Sequence, residues 1–161
     1  VSTTGTDVND CSISACATLT YALLKSAAGD LISVAAGTYS STGFTELVVT
    51  SGITIAGAGV DSTIIDLAYT GEIVLVYPEK KFINPSLSRA FIFDGVNNVV
   101  VSGLTVRQGS ASGYKGSSKL TGGCALMLRS GVSISDVKFD ACRSNGNAAN
   151  APAGAIYIDA V

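Results

Sequence analysis

Apolar and polar residues follow two different periods along the chain. Within residues 17–28, Leu19, Leu23 and Ala27 recur every fourth position, which is the spacing of one helix face. Gly29 follows directly, and glycine is the residue that most often takes the left-handed conformation at the end of a helix. The pattern predicts one amphipathic helix over residues 17–28.

Downstream of residue 30 the apolar residues alternate with polar ones or form short runs, and each run is followed by Gly, Asn, Ser or Asp. Such runs predict short strands joined by turns. Three stretches align without gaps, at residues 52–60, 98–106 and 131–139. Each has an apolar-x-apolar segment, a small or turn-forming pair and a second alternating segment. The pattern predicts a repeated unit in which two strands meet at a tight corner.

Corresponding positions of the three copies are expected to stack as an internal apolar ladder, because repeated units of this kind bury one face against their neighbours. The ladder positions are Ile53, Ile55, Val99, Val101, Val132 and Ile134.

The copies begin 46 and 33 residues apart. A plain rung of a parallel β-helix needs about two dozen residues or fewer, so loop insertions must account for the rest. We assign residues 1–161 to a single domain. Its parts are an N-terminal segment with a capping helix at 1–30, rungs at 31–161, and loop insertions near 77–89, 108–123 and 144–153.

The end of the sequence lies inside a unit. Residues 122–128 match residues 153–158, and the chain stops two residues after Asp159. We therefore expect strand edges and apolar side chains to be open at the C-terminal end. Further rungs of the same chain, or a second copy in end-to-end or strand-addition assembly, would cover them.

Composition narrows the classes of function. The chain has 47% hydrophobic and 14% charged residues, which fits a globular domain, and no apolar run long enough for a membrane span. Its net charge of −2 and lack of a basic block argue against a nucleic-acid partner. The absence of histidine excludes serine-histidine and cysteine-histidine catalysis and histidine-containing zinc sites.

Cysteines form two sequence-local pairs, Cys11 with Cys16 and Cys124 with Cys142, and neither pair has the CxxC spacing of a metal or redox motif. Two interpretations are open: four buried free thiols, or two disulfides formed in an oxidising compartment. We favour the disulfides Cys11–Cys16 and Cys124–Cys142, which predict an extracellular or cell-surface location.

These residues resemble a known family. Residues 31–39, 53–59 and 63–66 resemble the first rungs of right-handed parallel β-helix proteins of the pectin-lyase-like superfamily, and the predicted helix resembles their N-terminal cap. The resemblance implies an all-β fold, a right-handed parallel β-helix (solenoid) with an N-terminal capping α-helix.

The later part of the chain is similar to the GGAI and FxxN repeats of polymorphic outer-membrane proteins and related surface proteins. The similarity covers residues 122–125, 132–141 and 154–157. It departs from these repeats at 141–142, where the usual asparagine is missing, and at Ala153, where a glycine is expected. Because this superfamily contains lyases, hydrolases, esterases, adhesins and passive scaffolds, the resemblance implies a fold more strongly than a function.

Acidic residues are scattered nearly evenly, and the only group that could serve a calcium-dependent lyase is Asp136, Lys138, Asp140 and Arg143. Asp136 occupies a corner position, where aspartate is an ordinary turn residue. We therefore assign no catalytic residue, metal ligand or cofactor.

The sequence predicts an extracellular structural or surface protein, adhesin-like or filament-forming, that assembles through its open C-terminal end. Carbohydrate is a further candidate partner. The alternative is the N-terminal part of a lyase or hydrolase that acts on an acidic polysaccharide.

Overall fold

The computed structural model of the protein describes residues 1–40, 47–49, 52–67, 75–76, 81–82, 89–111, 123–144 and 154–159. Most of each predicted loop insertion lies outside the described residues. Within them, helix α1 (Leu19–Lys25) precedes fourteen strands. The strands are β1 (Leu31–Val34), β2 (Gly37–Ser40), β3 (Leu47–Val49), β4 (Thr54–Gly57), β5 (Thr63–Asp66), β6 (Leu75–Val76), β7 (Lys81–Phe82), β8 (Phe91–Asp94), β9 (Val99–Arg107), β10 (Ser110–Ala111), β11 (Ala125–Leu128), β12 (Val132–Asp140), β13 (Arg143–Ser144) and β14 (Ile156–Asp159).

The described strands divide into separate sheets. The larger sheet has the order β1-β4-β9-β5-β2, with β12 on the free side of β9, and the second sheet has the order β14-β11-β8-β3. Strands β10 and β13 form a parallel pair, whereas β6 and β7 pair antiparallel. All described pairings in the two larger sheets are parallel.

The prediction of an all-β, right-handed parallel β-helix is therefore wrong. The described residues form a mixed structure, in which one short helix accompanies parallel strands held in separate sheets, and they do not form a solenoid. A physical reason lies in the chain between the aligned copies. The 37 residues between the first two copies, 61–97, include an antiparallel pair of their own, β6 with β7, in place of a plain connection.

Helix α1 is shorter than the predicted 17–28. It begins after Thr18, whose hydroxyl accepts a hydrogen bond from the backbone N–H of Tyr21 at 3.1 Å. It ends before Ser26, whose extended backbone (ψ 148°) breaks the helical path. Gly29 has the positive φ of 91° that the sequence predicted for a residue just past the helix.

The first segments of the three aligned copies lie side by side as predicted. Ile55 of β4 is in register with Val101 of β9, which is in register with Ile134 of β12. The corner between the two segments falls at Gly103 and Asp136, which both adopt positive φ, 64° and 50°. The second and third copies therefore have the local geometry that the sequence predicted. The prediction is wrong for the second half of the first copy, because β5 (Thr63–Asp66), and not residues 58–60, lies beside the second segment of β9.

A single aspartate supports the start of α1. The Asp7 carboxylate accepts hydrogen bonds from the N–H of Ala17 at 2.8 Å, the N–H of Thr18 at 3.0 Å and the Thr18 hydroxyl at 2.7 Å. Desolvation raises the pKa of Asp7, but the hydrogen bonds from Thr18 and Ala17 outweigh it and hold that pKa below its usual value.

We expect Asp7→Asn to lower the thermal midpoint at about pH 7, and to lower it progressively less as the pH falls toward about 2. Since the folded-state pKa is the lower one, the carboxylate stabilises the fold above its unfolded pKa of about 3.9, and this contribution is lost as the pH falls through the folded-state pKa. Thermal melts across this range check the prediction, with Asp61→Asn as a control that removes an exposed charge of the same sign. A pH-independent difference would contradict it.

Candidate functional site

The end of the two larger sheets that is formed by β12 and β14 carries side chains of the core type on its surface. Among the described residues, β12 pairs only with β9 and β14 pairs only with β11. We call this surface the open face, and its apolar members are Ile134, Val137, Phe139, Ile156 and Ile158.

Exposure rises abruptly at the last strand of the four-stranded sheet. Val49, Phe93, Met127 and Ile158 occupy one register position on four successive strands. The first three side chains are 1%, 1% and 6% exposed, whereas Ile158 is 67% exposed. The side chain at this register position is therefore buried on the first three strands and exposed on β14, because no described strand lies beyond β14.

The six-stranded sheet repeats this change at β12. Ile65 and Val106 are 0% exposed, but Phe139, their register neighbour on β12, is only half-buried. Ile134 likewise is half-buried although its neighbour Val101 is in the core. Both larger sheets thus end in a layer of apolar side chains that is incompletely covered.

Backbone groups of the same strands also point away from the protein. The carbonyl of Asp140 accepts a hydrogen bond from the chain just beyond β9, and that of Asp159 accepts one from the chain just beyond β11. Because alternate residues of a strand direct their N–H and C=O to opposite sides, Phe139 and Ile158 direct theirs to the outer edge. The open face therefore offers hydrogen-bonding groups as well as apolar area.

The opposite end of the sheets is covered. Helix α1 packs against β3. The backbone carbonyl of Val1 accepts a hydrogen bond from the N–H of Ala35 at 2.9 Å, just past β1. The Thr3 side chain lies so close to Gly37, at the start of β2, that a Cβ there would overlap it. The two ends are thus chemically different.

Both predicted disulfides are present. Cys11 is bonded to Cys16 and Cys124 to Cys142, with Cα–Cα distances of 5.2 and 5.5 Å, and no cysteine is free. The second bond ties the chain before β11 to the chain just after β12, so it crosses from one larger sheet to the other beside the open face. Disulfides are consistent with a secreted or surface protein.

The group Asp136, Lys138, Asp140 and Arg143 lies on the surface, with all four side chains exposed. Asp136 is a corner residue, as its sequence position indicated. Beside Asp140 in register lies Arg107, but its guanidinium already binds Asp66, with Nη2–Oδ2 at 2.6 Å and Nε–Oδ2 at 2.8 Å. Among the described residues, no three His, Cys, Asp or Glu side chains are placed to hold a metal ion.

A second surface feature is a cleft of about 430 Å³ between the Cys11–Cys16 loop, α1 and β1. Its charged groups already have local partners. Asp10 accepts hydrogen bonds from the N–H and the hydroxyl of Ser12 at 3.0 and 2.6 Å, and the Lys25 ammonium lies 5.2 Å from the centre of the Tyr21 ring. The cleft therefore lacks a charged group that is buried and directed at a ligand.

Sequence reasoning identified one part of the open face and missed the other. The apolar content of residues 155–158 indicated an uncovered strand, which corresponds to β14. Ile134 was predicted to stack with its counterparts, but its exposure and that of Phe139 were not foreseen.

Comparisons with known proteins do not assign this chain to a family. No protein-family model, no curated protein and no solved structure matches it. The resemblance to the pectin-lyase-like superfamily therefore stays a hypothesis.

In the part of the chain that the structure describes, no helix has the length and apolar character needed to cross a membrane.

Proposed function

We propose that this protein is an extracellular structural or surface protein, adhesin-like in character, that assembles through its open face. The supporting observation is the change in exposure along one register position, from 6% at Met127 to 67% at Ile158. Side chains of core type on an unpaired sheet edge are a feature that natural proteins otherwise avoid or cover. Assembly is a function that uses such an edge.

The energetics favour association. Full burial of one isoleucine side chain contributes about 1.5 to 3 kcal/mol, and the open face includes Ile134, Phe139, Ile156 and Ile158 as incompletely buried side chains. Strand addition would also pair the outward-directed N–H and C=O groups of Phe139 and Ile158. These two contributions act together at one surface.

An extracellular or cell-surface location fits the same proposal. The bonds Cys11–Cys16 and Cys124–Cys142 form and persist in oxidising compartments. The alternative is the N-terminal part of a lyase or hydrolase acting on acidic polysaccharide, and the only group that the sequence offered for it is Asp136, Lys138, Asp140 and Arg143. These four side chains lie exposed on the surface, and no observation on the described residues favours the alternative.

We expect Ile158→Lys to abolish self-association of the 161-residue chain. The substitution places a charge on the open face, where burial in an interface would cost several kcal/mol. Sedimentation velocity at micromolar concentrations measures the effect. The matched control is Ile13→Lys, because Ile13 is 93% exposed and lies in the Cys11–Cys16 loop at the covered end.

The proposal requires an oligomer for the unsubstituted chain and for Ile13→Lys, and a monomer for Ile158→Lys. A monodisperse monomer of the unsubstituted chain would overturn it. Equal loss of association in both variants would also count against it, since the open face would then have no special role.

A further inference from the structure

We draw no further inference here: the strongest candidate, the cleft of about 430 Å³ between the Cys11–Cys16 loop, α1 and β1, has the exposed side chains of Ile13 and Leu31 in its walls, but nothing in the structure shows what covers it.

Discussion

Val101→Asp is expected to lower the free energy of unfolding by about 3 kcal/mol or more. Val101 is 2% exposed and lies between Ile55 and Ile134 in register, so the new carboxylate would be surrounded by apolar side chains. A charge buried without a partner loses its hydration and gains nothing in exchange. The valine contacts are lost as well, which adds to the cost.

The matched control is Val100→Asp. Val100 is half-exposed on the opposite face of β9, between Thr54 and Ser133 in register. Its replacement should cost about 1 kcal/mol or less, because the carboxylate keeps contact with water. Equilibrium unfolding in urea measures both variants. Equal losses of unfolding free energy would mean that Val101 is not on the buried face of β9 and Val100 not on its exposed face, in contradiction to the structure.

Sequence periodicity predicted α1 but not its bounds. The apolar spacing of Leu19, Leu23 and Ala27 extends over residues 17–28, whereas the helix occupies only Leu19–Lys25. Its start depends on hydrogen bonds from the backbone of Ala17 and Thr18 to the carboxylate of Asp7, ten and eleven residues away. A contact between residues this far apart in the sequence cannot be predicted from the local spacing of apolar residues.

Register was predictable where the repeat is strong. Alternation in the three aligned copies placed Val101 inside and Val100 outside, and the corner residues Gly103 and Asp136 were identified from their turn chemistry. The fold built from these units was not predictable in the same way. A repeat specifies which strands lie beside each other, but it says nothing of the residues between the copies, where β6 and β7 form their own antiparallel pair.

The exposure of the open face could not be predicted from the local sequence either. Phe139 and Val106 occupy equivalent places in two aligned copies, and each is the last residue of an apolar-polar-apolar segment. Only one of them is in the core, because β9 has neighbours on both sides and β12 has one. Exposure at the open face therefore depends on the order of the strands in the sheet, which cannot be predicted from a short stretch of sequence.

Removal of the Cys124–Cys142 bond by a double substitution to alanine is expected to cost about 3 kcal/mol of unfolding free energy. The bond closes a loop with a sequence separation of 18, so without it the unfolded chain gains considerable conformational freedom. The same change at Cys11 and Cys16, with a separation of 5, should cost about 2 kcal/mol.

These two variants form a matched pair. Each bond has one cysteine that is fully buried, Cys124 or Cys16, so the loss of sulfur packing is similar and the loop length is the main difference. Guanidinium unfolding of both variants, each confirmed to be free of thiols, measures the difference. A larger loss at Cys11–Cys16 would show that packing or strain outweighs loop entropy in this protein.

The longer bond should also influence assembly. Cys142 follows β12 by two residues and is tied to Cys124 at the start of the β11 region, so the bond holds β12 against the second sheet. Without it, the part of β12 around Phe139 must be ordered when a partner binds the open face, and that ordering opposes association. We therefore expect the alanine variant at Cys124 and Cys142 to self-associate more weakly at a temperature where it is still folded, whereas the variant at Cys11 and Cys16 associates as the unsubstituted chain does. Sedimentation of the two variants side by side checks this, and equal association of both would contradict a role of this bond in ordering the open face.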